Sequence, residues 1–343
     1  MTRISKIILA LTVVLLAIWQ LPWCYAFFNT ESAHLPFTLY SGLYGDFISV
    51  DRNKETGAFG IAADGKTFSQ EQTDSLLPFF YMRQLMADSR MPDTIQNVPV
   101  SAHDIQMTNF NFRSSASDLN VNKVELYPLL ESLSKRVELT MSEDVFRITD
   151  KGIEFIRMAA NEIYEAKSQK FTKALLDKGF SFPSRKIAGN PTTKKDYDEG
   201  YLIVDNNGKL FHMKMMQGQP YVRFIELPKD VEIKNLFLTE FRDKKTLGFI
   251  QDSQNRFFVL NNKTYQLFNT GVTDCDLNRY DMTIIGNMMD WTMWILKDNS
   301  CDFYALDANN YSVIKKMSKP IADISAFGLH FTSPSDKFVY PRF

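Results

Sequence analysis

The second half of the chain repeats one pattern of apolar and polar positions. An apolar stretch leads into a polar turn that begins with Asp, and a second apolar stretch follows; the turns begin at Asp205, Asp252 and Asp298. The spacings are 47 residues (205 to 252) and 46 residues (252 to 298). Asp-rich turns favour hairpins, and the branched and aromatic flanks favour strands. Because a period in the mid-forties is typical of β-propeller blades, we predict blade-like repeated hairpins over residues 185–343.

Residues 29–184 contain the same hairpin pattern, but there it is followed by helices instead of further strands. Turns beginning at Asp64 and Asp150 are followed by helical apolar spacing, which predicts helices over about 69–89 and 161–178. Pro128 predicts the start of a shorter helix that runs to Leu133. The fold class predicted is mainly β with a few helices, β-propeller-like, after one N-terminal transmembrane helix.

The C-terminal residues 321–343 have strand-like composition but do not complete a repeat. In a closed propeller they would pair with strands near residues 37–50, which would remove the exposed sheet edges. An open sheet or a two-layer sandwich would show the same hairpin pattern.

The first 28 residues have the pattern of a membrane-directed segment. Residues 1–6 form a cytoplasmic n-region with Arg3 and Lys6, and residues 7–28 are almost entirely apolar. A stretch of this length spans a bilayer as an anchor, and a cleaved signal peptide with a site near Ala26 is the alternative. Both alternatives export the remaining chain, because the two basic residues keep the N-terminus cytoplasmic. The predicted location is therefore the inner membrane, with a single pass and a periplasmic C-terminal domain.

Composition and charge exclude some classes of protein. The 343 residues are 45% hydrophobic, which is enough for a large core, and the formal net charge is −1. Binding of nucleic acid needs a concentrated basic surface, so the near-neutral charge argues against it.

The sequence contains no recognisable catalytic or cofactor-binding motif. The four histidines are isolated, and there is no serine nucleophile elbow, phosphate-binding glycine loop or dinucleotide fingerprint. We therefore predict a protein that is not an enzyme and has no metal or other cofactor, with an envelope hydrolase as a third alternative. The best local acidic cluster is residues 196–199, for which a solvated loop is the alternative interpretation.

Two aromatic residues and an acid form the candidate ligand-binding site. Strand alternation over residues 288–295 puts Trp291 on one face, and Asp290 and Trp294 on the other. Trp294 is therefore a candidate stacking platform for a sugar or peptide, with two core tryptophans as the alternative.

Cys275 and Cys301 lie in neighbouring segments of the predicted sheet. An oxidising compartment would permit a disulfide between them. Two half-buried free thiols are the alternative.

Four segments carry a resemblance to a known family: residues 127–132, 144–155, 187–201 and 284–288. They resemble the bacterial family labelled domain of unknown function 4857. The resemblance covers nearly the whole chain and implies a single-pass protein of gut-dwelling Gram-negative bacteria with no assigned activity. It also implies an association with export or permease systems of the ATP-binding-cassette (ABC) type.

These observations favour a membrane-anchored periplasmic interaction module, an accessory or sensor subunit of an ABC-type transport system. Its expected partners are the inner membrane and a permease or another envelope protein. A carbohydrate- or peptide-binding envelope protein is the alternative.

Overall fold

The chain begins with a long apolar helix. The computed structural model describes residues 2–29, 35–51, 59–121, 124–133 and 138–321, together with two short strands near the C-terminus. Helix α1 spans Arg3–Asn29, and the apolar side chains of residues 7–16, among them Leu9 and Val13, are exposed to the surroundings. The helix is long and apolar enough to cross a membrane, although a signal sequence meets the same criteria.

The first β-sheet, sheet 1, is followed by helices and a small hairpin. Sheet 1 contains four strands: β1 (Phe37–Ser41), β2 (Asp46–Val50), β3 (Gly60–Ala62) and β4 (Thr67–Phe68). The elements after it are α2 (Gln70–Leu76), α3 (Met82–Ala87), β5 (Thr94–Ile95), β6 (Val98–Pro99), α4 (Ala102–Thr108), β7 (Phe110–Ser114) and α5 (Ala116–Asn120).

Sheets 2 and 3 are also four-stranded. Sheet 2 contains β8 (Tyr127–Pro128), β9 (Asp144–Ile148), β10 (Ile153–Arg157) and β11 (Glu162–Ile163), and helix α6 (Glu165–Asp177) follows it. Sheet 3 contains β12 (Lys186–Gly189), β13 (Tyr201–Val204), β14 (Leu210–Met216) and β15 (Gln219–Ile225).

Sheets 4 and 5 complete the series. Sheet 4 contains β16 (Ile233–Leu238), β17 (Thr246–Asp252), β18 (Phe257–Asn261) and β19 (Leu267–Asn269). Sheet 5 contains β20 (Asp281–Gly286), β21 (Asp290–Leu296), β22 (Ser300–Asp307) and β23 (Val313–Pro320), with β7 paired to β20 as a fifth strand. The last elements are β24 (His330–Phe331) and β25 (Pro341–Arg342), which pair with each other.

The sheets pack face to face through apolar side chains. Strand β13 illustrates the pattern, because Tyr201 and Ile203 belong to the core shared with sheet 2, whereas Leu202 and Val204 belong to the core shared with sheet 4. Alternation with a period of two therefore buries both faces of the strand. Further cores join sheet 4 to sheet 5 and sheet 5 to sheet 1, which gives the spatial order 2–3–4–5–1.

Consecutive four-stranded antiparallel sheets of this kind make the fold β-propeller-like, as the repeated hairpins predicted. The turns at Asp205 and Asp252 each join the second and third strands of their sheet, and Asp150 occupies the same place in sheet 2. The turn at Asp298 joins the corresponding strands β21 and β22 of sheet 5, to which β7 adds a fifth strand. The sequence repeat is therefore one hairpin in four successive sheets. The core between sheets 2 and 3 crosses the 184/185 boundary between the two predicted parts.

Several predicted elements differ in detail. The helix predicted over about 69–89 is two helices, because Pro78 lies between α2 and α3. The helix predicted after Pro128 was wrong: Pro128 belongs to β8, and Leu129 and Leu130 are buried. The predicted pairing of residues 321–343 with residues 37–50 is not found among the described residues, where β1 pairs with β2. Residues 322–329 and 332–340 of that prediction lie outside the described residues.

Candidate functional site

The candidate site is a cavity between sheet 5 and sheet 1, here called the Asp290 cavity. Its volume is about 240 Å³, and its lining comes from five separate parts of the chain: residues 39–43, 76–80, 95–96, 109–111, and six residues between 285 and 292 that exclude Met288 and Trp291. Most of the lining is apolar, including Leu39, Leu77, Phe110 and Ile285. Such concave, mainly apolar cavities with a few polar groups are the usual form of ligand sites.

Strands β1 and β21 hold the two sheets together beside the Asp290 cavity. The backbone N–H of Tyr40 donates a hydrogen bond to Thr292 Oγ1 at 2.8 Å. Nearby, the Phe37 ring contacts the Trp294 ring edge-on, with 6.1 Å between the ring centroids. These contacts fix the spacing between the sheets on which the cavity depends.

The segment after α2 covers one side of the Asp290 cavity. Helix α2 begins with a capping box in which Ser69 and Gln72 bond reciprocally, and it ends at Leu76. The Ser41 hydroxyl donates to the Leu76 carbonyl at 2.6 Å, and the Asn109 side-chain amide donates to the Phe79 carbonyl at 2.8 Å. Both ends of residues 76–80 are therefore tied to elements that line the cavity.

The β5–β6 hairpin supplies a polar group to the same cavity. Its turn residues Gln96 and Asn97 both have positive φ (48° and 64°), as a two-residue hairpin turn requires. This conformation directs Gln96 toward β1, where its Nε2 donates to the Gly42 carbonyl at 2.7 Å. A Cβ at Gly42 would lie 2.9 Å from Asp290 Oδ2 and 3.1 Å from Gln96 Nε2, so a larger residue there would have to displace these two side chains.

Asp290 is the ionisable group that distinguishes the cavity. It is 6% exposed and accepts a hydrogen bond from Asn287 Nδ2 at 3.0 Å. Burial raises the pKa of its carboxyl to about 6, Asp307 adds to the increase, and hydrogen bonds from Asn287 and the Gly42 backbone oppose it. None of the described residues that line the cavity is Lys, Arg or His.

The structure separates the residues of the predicted aromatic site. Asp290 lines the cavity, whereas Trp291 is buried in the core between sheets 4 and 5, with its ring 5.0 Å from those of Phe110 and Tyr311. Trp294 lies on the face of sheet 5 that meets sheet 1, between Phe37 and Phe303. Sequence alternation located these faces, and a neighbouring sheet covers each of them, which corresponds to the alternative of two core tryptophans.

The two cysteines lie in different cores. Cys275 belongs to the core between sheets 4 and 5, and Cys301 belongs to the core between sheets 5 and 1. Both are free thiols, which corresponds to the second alternative and not to the disulfide, although they are fully rather than half buried. Sheet 5 itself stands between them.

Within the acidic cluster at residues 196–199, Asp198 and Glu199 belong to a buried ionic network, whereas Asp196 is exposed to solvent. Lys195 Nζ lies 2.7 Å from both Asp198 Oδ1 and Glu240 Oε1, and all three side chains are at most 6% exposed. Ser132 also donates to Asp198, at 2.5 Å. Burial raises the pKa of the Glu240 carboxyl, whereas its bonds with Lys195 lower it. The charges are paired, which is typical of a structural network.

Glu199 extends this network to His212. Lys214 Nζ lies 2.6 Å from Glu199 Oε2, and His212 contacts the Glu199 carbonyl at 2.6 Å and the Tyr265 hydroxyl at 2.8 Å. Burial lowers the pKa of His212 to about 4, so this imidazole is neutral at pH 7. Its two ring nitrogens are occupied within the protein, which leaves the Asp290 cavity as the better candidate site.

The described residues contain no group of three or more His, Cys, Asp or Glu side chains that could hold a metal ion. His34 and the side chain of His330 lie outside the described residues.

Comparison with solved structures identifies proteins of propeller type. The β-propeller domain of Cps50 (Swd1) from Myceliophteria thermophila is 10% identical, with a TM-score of 0.30, 62% of this chain covered and 61% of that chain. The WD40 domain of SCAP from fission yeast is 8% identical, with a TM-score of 0.30, and coverage is 89% of this chain and 78% of that one.

PorZ, a surface component of the type-IX secretion system of Porphyromonas gingivalis, is 12% identical, with a TM-score of 0.25. The match covers 83% of this chain but only 33% of PorZ. Among curated proteins, no relative matches the chain.

The family is established by the sequence itself. A family described as a domain of unknown function, DUF4857, matches residues 37–306, which include all of sheets 1 to 4 and most of sheet 5. The matched region also includes every residue range that lines the Asp290 cavity. The chain therefore belongs to the DUF4857 family.

Proposed function

We propose that this protein is a membrane-tethered interaction module that binds a partner through the Asp290 cavity. In this proposal α1 anchors the chain in the inner membrane, and the propeller-like domain lies in the periplasm. Arg3 and Lys6 support that orientation, because basic residues beside an apolar helix stay on the cytoplasmic side.

The observation that carries the proposal is the apolar rim of the cavity. Leu43 and Phe80 line the cavity and are 45% and 48% exposed. Exposed apolar side chains around an apolar cavity are typical of surfaces where a partner inserts an anchoring side chain. The volume of about 240 Å³ is below the roughly 300–1,000 Å³ of sites for drug-sized ligands, which favours a single inserted group.

The tether limits where the cavity can be. Strand β1 starts eight residues after α1 ends, at Phe37 after Asn29. Eight residues span at most about 29 Å when fully extended. If α1 is an uncleaved anchor, the edge of the cavity formed by β1 stays within a few tens of ångströms of the membrane surface. A membrane protein is then the partner most easily reached.

The family resemblance supports the identity of that partner. It implies an association with ABC-type export systems, so we propose an accessory subunit that contacts the permease from the periplasmic side.

A photo-crosslinking amino acid at Phe80, in cells that express the full chain, tests this proposal. The expected result is a crosslinked product with an integral membrane protein after gentle solubilisation. A matched probe at Ile314, which is 47% exposed on β23, is the control and should not give that product. The same products from both positions, or no product from Phe80, would count against the proposal.

The alternative remains a carbohydrate- or peptide-binding envelope protein. The Trp294 ring is in contact with Phe37 and Phe303, which leaves less of its face for stacking on a sugar. A cavity for one inserted group suits a peptide side chain better than a glycan. Binding of a glycan that is lost in Trp294→Ala but not in Phe80→Ala would favour the carbohydrate alternative.

A further inference from the structure

We propose that the Asp290 cavity is a binding site for a protonated amine carried on an apolar body, with the Asp290 carboxylate as its anionic partner. This inference builds on the proposed binding role of the cavity and specifies the chemistry of the group that enters it.

Asp290 has no cationic partner among the described residues, whereas most of the other buried carboxylates have one. Four examples are Asp144 with Lys167, Asp198 with Lys195, Asp252 with Arg256 and Asp302 with Lys297. Asp205 has no ion pair either, but it accepts backbone N–H bonds from Ser181, Asn207 and Lys209. A carboxylate accepts about four hydrogen bonds, and Asp290 has those from Asn287 and the Gly42 backbone.

An incoming ammonium group would supply the missing charge and hydrogen bonds. Burial makes an isolated carboxylate unfavourable, and a paired cation in the same cavity offsets that penalty. Gln96 also lines the cavity, and because its Nε2 donates to the Gly42 carbonyl, its other amide atom is an oxygen that can accept. An ammonium has three donors, which matches a carboxylate with a neighbouring amide oxygen.

The rest of the lining selects the body that carries the amine. Leu39, Leu77, Pro78 and Ile285 present apolar surface, and Phe110 adds an aromatic ring. A hydrated metal ion gains no free energy from contact with such apolar surface, whereas an aromatic or aliphatic amine gains it by burying its carbon atoms there. The ligand class is therefore an amphiphilic primary amine.

The protonation of Asp290 supports a pH dependence. The pKa of its carboxyl is about 6, and the titratable groups that face it are Asp307 on β22 and Tyr40 on β1. Below pH 6 the carboxyl is protonated and offers the amine no charge. Amine affinity should therefore rise as the pH increases through about 6, while the affinity of a neutral ligand of the same shape stays constant.

Calorimetric titration of the full chain in detergent micelles with phenethylamine, and with 2-phenylethanol as the neutral isostere, tests the inference. We expect the amine to bind at least about tenfold more tightly than the alcohol at pH 7.5, because a charged hydrogen bond is stronger than a neutral one. The preference should disappear in Asp290→Asn and persist in Asp118→Asn, an exposed control. Equal binding of the two ligands, or an amine preference that survives Asp290→Asn, would overturn it.

Two further measurements separate the possible failures. If Asp290→Asn does not fold, the wild-type titration at pH 5.0 and 7.5 replaces it, and an amine affinity that does not fall at pH 5.0 contradicts the inference. If the amine does not bind but the probe at Phe80 crosslinks a membrane protein, the amine inference fails and the proposed function stands. Amine binding without that crosslink would support the inference and count against the membrane partner.

Discussion

Asp290 on β21 and Asp307 on β22 are register partners, so two carboxylates stand opposite each other at one end of sheet 5. They differ in environment. Asp307 accepts hydrogen bonds from the backbone N–H groups of Asn309 and Asn310 in the turn, whereas Asp290 is buried in the cavity. Burial and the neighbouring Asp307 charge together make the ionised form of Asp290 unfavourable in the folded protein.

The first prediction concerns stability and pH. The folded-state pKa of Asp290, about 6, is above the usual value of 3.8, so the folded protein loses stability as the pH rises from about 4 through 6. Asparagine does not ionise, so Asp290→Asn does not lose stability in this way as the pH rises. Its stability relative to the wild type should therefore improve by about 2–3 kcal/mol between pH 4 and pH 8. Urea unfolding of both proteins across this range provides the measurement.

The exposed substitution Asp118→Asn is the control for that experiment. A parallel pH dependence of the wild type and Asp290→Asn would show that Asp290 does not ionise unfavourably in the fold. The asparagine also loses one accepted hydrogen bond, which lowers stability by about 1 kcal/mol at every pH and does not change the slope.

The second prediction concerns the ionic network between sheets 3 and 4. Lys195→Met leaves Asp198 and Glu240 buried without their shared cation, so the free energy of unfolding should fall by about 3–5 kcal/mol. The loss should be greater at pH 8 than at pH 4. The reason is that the raised pKa of the Glu240 carboxyl would rise further without Lys195, and stability is lost as the pH passes through it.

Lys194→Met, at the exposed neighbouring position, is the matched control and should change stability little. The double variant with Lys195→Met and Glu240→Gln should be more stable than Lys195→Met alone at pH 8, because one unpaired charge is removed. If the double variant were less stable than the single one, the cost assigned to the unpaired buried carboxylate of Glu240 would be wrong.

The third prediction concerns the thiols. In a Cys24→Ser background, iodoacetamide should label neither Cys275 nor Cys301 in the folded protein, since both are fully buried. Burial also raises both thiol pKa values, that of Cys301 to about 12, so the reactive thiolate is scarce. In urea without reductant, mass spectrometry should detect two labels. Labelling in urea that requires a reductant would instead indicate a disulfide.

The fourth prediction concerns topology. Alkaline phosphatase fused after Phe343 should be active, because this reporter works only outside the cytoplasm, and the mass of the purified chain should include α1. Replacing Arg3 and Lys6 with Glu should lower reporter activity by removing the basic residues that orient the helix. An active cytoplasmic reporter at the same position would exclude the periplasmic proposal. A chain shortened near Ala26 would identify a cleaved signal peptide.

The strands were predictable because each carries its own local signal. Turns that begin at Asp205, Asp252 and Asp298 favour hairpins within about a dozen residues, and the branched and aromatic residues beside them favour strands. The same local rules failed at Pro128, where Tyr127 pairs with Phe146 in sheet 2 and this long-range pairing overrides the helix preference.

The candidate site was only partly predictable. Alternation along β21 identified Asp290 as facing away from Trp291, but the cavity needs Leu77, Gln96 and Gly42, which are far from it in sequence. No local pattern brings those segments together. Likewise, the charge pattern around Lys195 is that of an ordinary polar turn. The burial of Lys195 follows instead from the packing of sheet 3 against sheet 4.

Strand β7 has a consequence for how the chain assembles. Phe110–Ser114 is translated early, yet its hydrogen-bonding partner Asp281–Gly286 emerges almost half the chain later. Until then neither edge of this strand is paired, which makes it a site for mispairing between chains. Non-local pairing of this kind also slows folding. A chain truncated before β20 would thus leave β7 without any partner strand.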